Sequence, residues 1–592
     1  MPDFDAILVL VVIAFILVSL YKEIIGPAFT FMVAIIILGL FGILTPKEIL
    51  NGFANEQISV ILLLLLLGDI IRRASVIELI FDRLFRGSKS KNGFMMRMMM
   101  LVGGFSAFLN NTPLVAVMMP YIHNWCKRHN ISPSKLLIPL SFAAILGGCA
   151  TLIGTSTNLI VNGLVVDQSI IPGLKPLGLF DFAWVGVPMI IIGFLYLLLF
   201  SNKLLPSKKD VIDEFSDNTR QHILEAQVRK KSHLIGKTIE EAGLRNLRGL
   251  YLFEIVRKNQ RITAVSPDVI LEEEDFLLFT GDTENIADLV DSRSGLTFPE
   301  VGMLYRKRHT EIAEIVLTHN STLINKTVKE ANFRSKYDAA ILSIHRNGET
   351  IRGKIGNIKL KAGDALLLLA GGDLIKNENY IQDFYLISKI KDINRLELYK
   401  VIILLGGTAL AIALSALGFI SLFMALITLL IILLFMKIAN PKDLPKNIDY
   451  NLAIIIAMSL ALGTAMIKTG VAEMIADLII TVFKPLGKVG LLAGIYLITT
   501  ILAAYITNKA SAAIIFPISV TLAINMNLPY MPFILVVAFA SAANFMTPIG
   551  YQTNLMVYGP GNYSFTDYFR IGAPLTLIYM VVTVIILSLV YF

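Results

Sequence analysis

A nine-residue stretch of small, polar and helix-breaking residues is written twice in this chain. Thr151-Leu152-Ile153-Gly154-Thr155-Ser156-Thr157-Asn158-Leu159 returns as Thr547-Pro548-Ile549-Gly550-Tyr551-Gln552-Thr553-Asn554-Leu555, and both copies read T-x-I-G-x-x-T-N-L inside long apolar segments. Gly154, Thr157 and Asn158, with Gly550, Thr553 and Asn554, are residues that interrupt a membrane helix. The carbonyls and amides freed by a break must face protein or a water-filled cavity, because hydrocarbon satisfies neither. Two breaks at matching places in two halves point to a site that binds and passes a solute. Bond chemistry is not indicated, since the apolar segments hold no nucleophile–base pair and no metal-ligand cluster.

The elements that must position these breaks are membrane helices. Of 592 residues, 55% are hydrophobic and only 16% charged, with a mean hydropathy of +0.70. That balance excludes an ordinary soluble enzyme and fits a polytopic membrane protein. The net charge of +8 is assigned to Lys and Arg in cytoplasmic loops, not to nucleic-acid binding. Two cysteines, Cys126 and Cys149, make neither a disulfide framework nor a metal cluster. The start, Met1-Pro2-Asp3-Phe4-Asp5, lacks a basic n-region, so no cleaved signal peptide is expected.

A span needs roughly 20 mostly apolar residues. The first half reads as spans at Ala6–Leu20, Ile25–Leu44 and Ile58–Ile71, then an interfacial helix at Val76–Phe85. Phe94–Tyr121 carries Asn110-Asn111-Thr112-Pro113 at its middle, which predicts a re-entrant hairpin. Leu136–Val166 is the interrupted helix and Phe182–Leu205 closes the half. The second half repeats the plan. Thr45-Pro46-Lys47-Glu48 pairs with Asn440-Pro441-Lys442-Asp443. Gly68, Glu78 and Asp82 pair with Gly463, Glu473 and Asp477. Asn110-Asn111-Thr112 pairs with Thr507-Asn508-Lys509, and Gly186 and Pro188 pair with Gly572 and Pro574. Such constant register indicates duplication.

Arg72, Arg73, Arg83, Arg86, Lys89, Lys91 and Arg97 place the loop around the first interfacial helix in the cytoplasm, as do Lys127, Arg128 and Lys135 for theirs. Five spans and a hairpin per half then invert the second half relative to the first. Both termini fall outside and the middle insert inside. The first hairpin enters from the cytoplasm and the second from outside.

The insert, about Ser207 to Lys391, is charged and carries its own repeat. Gly236-Lys237-Thr238-Ile239-Glu240-Glu241-Ala242 matches Asn325-Lys326-Thr327-Val328-Lys329-Glu330-Ala331, and Arg245, Arg257 and Asp275 match Arg334, Arg346 and Asp364. Runs such as Asp275-Phe276-Leu277-Leu278-Phe279 predict strands. The Lys-Thr stretches predict helices, so each lobe is expected to be a small α+β domain. No G-x-G-x-x-G follows a strand, which excludes a Rossmann dinucleotide fold.

With its two hairpin triplets and two T-N-L breaks, the chain resembles the divalent anion:sodium symporters of the ion transporter superfamily. The insert resembles two tandem TrkA-C (RCK-C) domains, a combination found in the sulfate-permease-like branch. The resemblance implies an elevator-type fold of two inverted repeats. It divides the chain into a first transmembrane repeat at 1–206, TrkA-C domains at 207–298 and 299–391, and a second repeat at 392–592. It further implies a homodimer in the lipid of the plasma (inner) membrane, and a small regulatory ligand, a nucleotide among the candidates, between the lobes. The lobes read equally well as a dimerisation module.

In that family the hairpin tips carry Ser-Asn-Thr and build an anion site between two sodium sites. By position, the resemblance assigns Ser106, Asn110, Asn111 and the backbone at Ala150 to the first sodium, and Ala503, Thr507, Asn508 and the backbone at Met546 to the second. It assigns Asn111, Thr112, Thr151, Asn508, Lys509, Thr547 and Pro548 to the anion. The chemistry of these residue types agrees. Sodium takes carbonyl, hydroxyl and amide oxygens, whereas an anion takes N–H and O–H donors at hairpin tips and half-helix N-termini.

Lys509 departs from the family pattern, since it stands where a small hydroxyl or amide residue is expected. An ionisable residue at membrane depth is costly and marks function. It is expected either to lie beside the anion or to replace the second sodium; the bland alternative is that it snorkels to the interface. Sulfate is the first expectation for the anion and a dicarboxylate such as succinate the second. A TrkA-C-gated cation channel or cation/proton exchanger is the competing class, but a channel filter should show carbonyl runs such as T-V-G-Y-G, and none is present.

Overall fold

The computed structural model describes residues 3–22, 24–54, 56–73, 85, 90–167, 171, 174–208, 223–230, 232–244, 250–257, 260–263, 265–266, 268–281, 295–297, 311–318, 321–337, 339–347, 349–351, 355–370, 383–386, 398–441 and 450–592. The expected interfacial helix at 76–85, apart from Phe85, lies outside them, as do Lys442, Asp443 and Arg245, and the boundaries expected at 298/299 and 391/392.

In the first half the helices are α1 (Phe4–Tyr21), α2 (Pro27–Leu40), α3 (Pro46–Asn51), α4 (Glu56–Arg73), α5 (Lys91–Ser106), α6 (Asn111–Arg128), α7 (Leu137–Gly148), α8 (Ser156–Asp167) and α9 (Ala183–Leu204). Helix α10 (Phe333–Tyr337) belongs to the insert. The second half adds α11 (Leu398–Ala416), α12 (Leu422–Phe435), α13 (Tyr450–Lys468), α14 (Val471–Phe483), α15 (Gly487–Tyr505), α16 (Asn508–Asn525), α17 (Tyr530–Ala542), α18 (Gln552–Tyr558) and α19 (Phe565–Tyr591). Among the described residues six helical stretches are long and apolar enough to cross a membrane, or seven if the pair bent by 120° around residues 129–132 counts as one. The chain is thus a mostly helical, multi-pass membrane protein.

Local chemistry sets the ends that matter. Thr45 and Glu48 form a capping box, with Thr45 N–H donating to Glu48 Oε2 at 2.8 Å and Pro46 opening α3. Ser564 and Asp567 do the same for α19. At the hairpin tips Asn110 caps α6 and Thr507 caps α16. Each caps a helix start with its own side-chain oxygen, satisfying an N–H that has no helical partner. Helix α14 buries Val471, Ala472, Ala476 and Ile479 along one face while Glu473 faces outward, the pattern of a helix at an interface.

Packing between the halves is reciprocal. Helix α2 lies against α13 and α12 against α4. The second hairpin arm α16 lies against α8, and the first hairpin's α6 against α18. The broken pairs α7/α8 and α17/α18 are nearly all buried, and so are the breaks themselves, apart from Met546 and Ile549 in the second.

The insert holds two five-stranded antiparallel sheets. The first is ordered β3-β2-β4-β1-β5, from β1 (Ile223–Val228), β2 (Leu250–Arg257), β3 (Gln260–Thr263), β4 (Phe276–Gly281) and β5 (Leu296–Thr297). The second is ordered β10-β6-β9-β7-β8, from β6 (Glu311–Leu317), β7 (Ala339–Arg346), β8 (Glu349–Thr350), β9 (Ala365–Ala370) and β10 (Phe384–Leu386). Each sheet has its own apolar core. The matched residues pair within their own lobes: Arg257 clamps Asp275 through Nε and Nη2, both at 2.8 Å, and Arg346 clamps Asp364 through Nε and Nη2, both at 2.6 Å. In the second lobe, where Asp364 is fully buried, burial pushes its carboxyl above the usual range against the pull of Arg346.

The Lys-Thr stretches are turns, not helices. Thr238 and Glu241 make the reciprocal bonds of a capping box, at 2.9 and 3.2 Å, and Thr327 and Glu330 repeat it at 2.8 and 3.1 Å. The box starts a turn that Gly243, at φ +70°, ends at once in the first lobe. Asn332, at φ +45°, ends it in the second, before the five residues of α10.

Candidate functional site

Two centres form where each hairpin tip meets the break of its own half. At the first, Ser106 Oγ lies 2.5 Å from Asn111 Oδ1 and 2.7 Å from the Ala144 carbonyl. Thr151 Oγ1 donates to the Ala107 carbonyl and accepts from Gly154 N–H at 3.2 Å. Asn158 Nδ2 donates to the Thr151 carbonyl at 2.9 Å. Gly154 has to be glycine, because a Cβ there would stand 2.5 Å from the Gly148 oxygen and 2.8 Å from the Ser106 oxygen. Thr157, on α8, is buried.

The second centre makes equivalent bonds. Thr547 Oγ1 donates to the Ala504 carbonyl at 3.3 Å and accepts from Gly550 N–H at 3.2 Å, and Asn554 Nδ2 donates to the Thr547 carbonyl at 3.2 Å. Thr500 reaches the Ala540 carbonyl at 3.3 Å, the task Ser106 performs in the first half. Ala503 is fully buried, and Pro548 is buried beside Thr547. Backbone-on-backbone packing closes both breaks from behind: Gly186 of α9 lies on Ala150, and Gly572 of α19 lies on Phe545 and Met546, each too close to admit a Cβ.

The remaining expected residues are distributed between caps and core. Asn110 caps α6, with Thr112 N–H donating to its Oδ1 at 3.1 Å, and it lines an apolar cavity with Phe108, Ile153 and Thr408. Thr112 and Lys509 are half-buried in the first turns of α6 and α16. Ser141 Oγ lies 2.8 Å from Thr553 Oγ1 and 2.7 Å from Asn554 Oδ1, which ties the second break to α7 of the first half.

Two residues that motif reasoning passed over stand at the centre. Asn544, fully buried, occupies the second-half position equivalent to Gly148, and neither its Oδ1 nor its Nδ2 has a hydrogen-bond partner among the described residues. Asn508 Oδ1 is likewise without one. Buried amide oxygens of this kind suit a sodium ion, which takes neutral oxygens. Tyr551, almost fully buried, reaches across to the first half: Asn111 Nδ2 donates to its Oη at 2.7 Å, and Thr155 Oγ1 lies 3.1 Å from that Oη. The signal for Asn544 was an amide in an Ala-rich run. For Tyr551 it was an aromatic where the first copy has a small hydroxyl.

The second lobe touches the second break directly. Tyr558 Oη, at the end of α18, donates to Asn347 Oδ1 at 3.2 Å. A Cβ at Gly559 would stand 2.7 Å from the Gly363 oxygen, and one at Gly363 would stand 2.6 Å from Leu555 Cδ1.

A family model described as "Citrate transporter" matches residues 9–495 and 484–592. An uncharacterized transporter of Synechocystis is 31% identical over 604 residues, covering 100% of this chain and 98% of that protein. An uncharacterized transporter of Escherichia coli is 26% identical, covering 94% of each chain. Sodium/sulfate cotransporter 1 of Chlamydomonas reinhardtii is 24% identical, covering 95% of this chain and 87% of that protein.

Proposed function

The chain belongs to the citrate transporter family, and from that premise we propose that it is a sodium-coupled secondary transporter of a small divalent anion, sulfate before all others. The observation that carries the proposal is the polar chain Ser106–Asn111–Tyr551–Thr155, which joins a hairpin tip to both helix breaks inside a buried core. Ser106, Asn110, Asn111 and Ala150 hold one sodium, and Ala503, Thr507, Asn508 and Met546 hold the other. Asn111, Thr112, Thr151, Asn508, Lys509, Thr547 and Pro548 line the anion. The unpaired Asn508 and Asn544 oxygens support an ion at the second centre. Sulfate is favoured by the names of the Chlamydomonas relatives, called sodium/sulfate cotransporters. Citrate or another carboxylate is the second reading, favoured by the family's description.

In this proposal the halves are inverted repeats working as an elevator, in a plasma-membrane homodimer with both termini outside. The insert is two cytosolic TrkA-C domains that regulate transport. The reciprocal contacts of α16 with α8 and α6 with α18 support the repeats. The seat of the second lobe on Tyr558 and Gly559 supports regulation, since α18 also carries Thr553 and Asn554. Labelled-sulfate binding to the purified protein tests the assignment. Binding that requires sodium and yields to unlabelled sulfate is expected. Binding that is indifferent to sodium, or that only citrate or succinate displaces, rejects it.

A further inference from the structure

Thr155 and Tyr551 hold the same place in the two copies of the repeated stretch, 396 residues apart, and their hydroxyl oxygens meet at 3.1 Å. Equivalent points of two related halves come into contact only at the centre relating them. That contact therefore marks the middle of the site, where both half-helices begin, for α8 starts at Ser156 and α18 at Gln552. A small threonine meets a large tyrosine there, and the asymmetry fills the centre with a ring. The ring is held firmly. Gly550, which precedes it, has no room for a Cβ beside Asn544, and Tyr551 itself is 9% exposed.

We infer that Tyr551 sets the selectivity of the site, admitting a compact tetrahedral oxyanion and excluding extended dicarboxylates. The inference rests on the transport reading above and deepens it. Sulfate gathers all its oxygens around one atom, whereas a dicarboxylate places its two charged ends apart and needs clear space between the tips. With Asn111 Nδ2 donating to Tyr551 Oη, the tyrosine retains its own proton. That proton goes to Thr155 Oγ1 or to an oxygen of the anion, next to the N-terminus of α8, which favours negative charge. A neutral phenol donates without adding a charge that sodium would oppose. Discrimination by a hydrogen-bonding group and a wall is stronger than by a wall alone, because a mismatched ligand leaves the donor unpaired.

Two variants separate the wall from the donor. Purified wild-type protein, Tyr551→Phe and Tyr551→Thr are compared by displacement of labelled sulfate with unlabelled sulfate and with succinate, in sodium. Tyr551→Phe keeps the ring and loses the O–H, and is expected to bind sulfate about tenfold more weakly while still rejecting succinate. Tyr551→Thr makes the centre symmetric and is expected to raise succinate affinity relative to sulfate by about tenfold or more. Sulfate affinity unchanged in Tyr551→Phe together with a selectivity ratio unchanged in Tyr551→Thr overturns the inference and leaves the transport reading standing. A wild-type protein that binds succinate as tightly as sulfate overturns the inference directly. One that binds neither anion overturns the transport reading and this inference with it. Should Tyr551→Thr fail to fold, wild-type discrimination and the Tyr551→Phe shift still decide the matter.

Discussion

Asn111 and Tyr551 stand 440 positions apart in the chain and 2.7 Å apart in the structure. Asn111 opens the second arm of the first hairpin, and Tyr551 closes the break of the second half. One hydrogen bond therefore spans the two halves at the site, and it is buried where a lost partner leaves a costly unpaired group.

Asn111→Ala and Asn508→Ala each remove a buried amide from a hairpin tip. Both are expected to lower sodium-driven uptake by about tenfold or more with membrane expression near wild type. Uptake assays on matched amounts of protein measure this, and normal rates with unchanged sodium dependence in both variants remove the tips from the site.

Lys509 follows Asn508 on α16. An ammonium a few ångströms from a second sodium repels it by several kcal/mol at an effective dielectric of about 20. Lys509→Thr is accordingly expected to raise the sodium Hill coefficient and weaken anion binding. A sodium titration of uptake reads the first and displacement of labelled sulfate the second. If neither moves, the lysine lies outside the site.

Much of this was legible in advance, and for a physical reason. Breaks, caps and close packings need particular residue types, so Gly154, Gly550, Gly186 and Gly572 announced themselves by register; the structure puts Gly154, Gly186 and Gly572 against backbone and Gly550 against the side chains of Asn544 and Thr547, leaving none of them room for a Cβ. Arg257, Asp275, Arg346 and Asp364 were visible as repeat positions, but that each arginine clamps the aspartate of its own lobe was not. Tyr551 and Asn544 were not, because their importance comes from what they face across the halves. The false helices of the lobes arose because a capping box predicts a start but not a length, and Gly243 stops the turn.

The seat of the second lobe on α18 depends on two glycines. A side chain at Gly559 would strike the Gly363 carbonyl at 2.7 Å. Gly559→Val is expected to part the lobe from the helix, an overpacking cost of about 1–3 kcal/mol. A photo-crosslinker attached at Asn347→Cys, an exposed position of that contact, should capture α18 in the parent background, where the native cysteines are buried, and fail when Gly559→Val is added. Equal cross-linking in both contradicts the contact.

His345, on β7 of the second lobe, is buried beside Ser343, and burial pushes its imidazole down from 6.5 to about 4. The unfolded chain thus binds a proton in that window that the folded lobe does not. Stability is full above pH 6.5 and falls as the pH drops toward 4, by about 2 kcal/mol between pH 7 and pH 5. Hydrogen exchange of β7 in the full-length protein should speed up at pH 5, after correction for the intrinsic rate, and His345→Gln should remove most of that change. Equal protection at both pH values contradicts the buried neutral imidazole.

An inward sodium gradient is expected to drive a divalent anion through the site between the two breaks. Uptake of labelled sulfate into proteoliposomes, with an inward sodium gradient, with equal sodium on both sides and with none, tests it most directly. Accumulation above equilibrium with the gradient alone, abolished by excess unlabelled sulfate, is the expected result. Equal sulfate entry under all three conditions, or no entry under any, would contradict it.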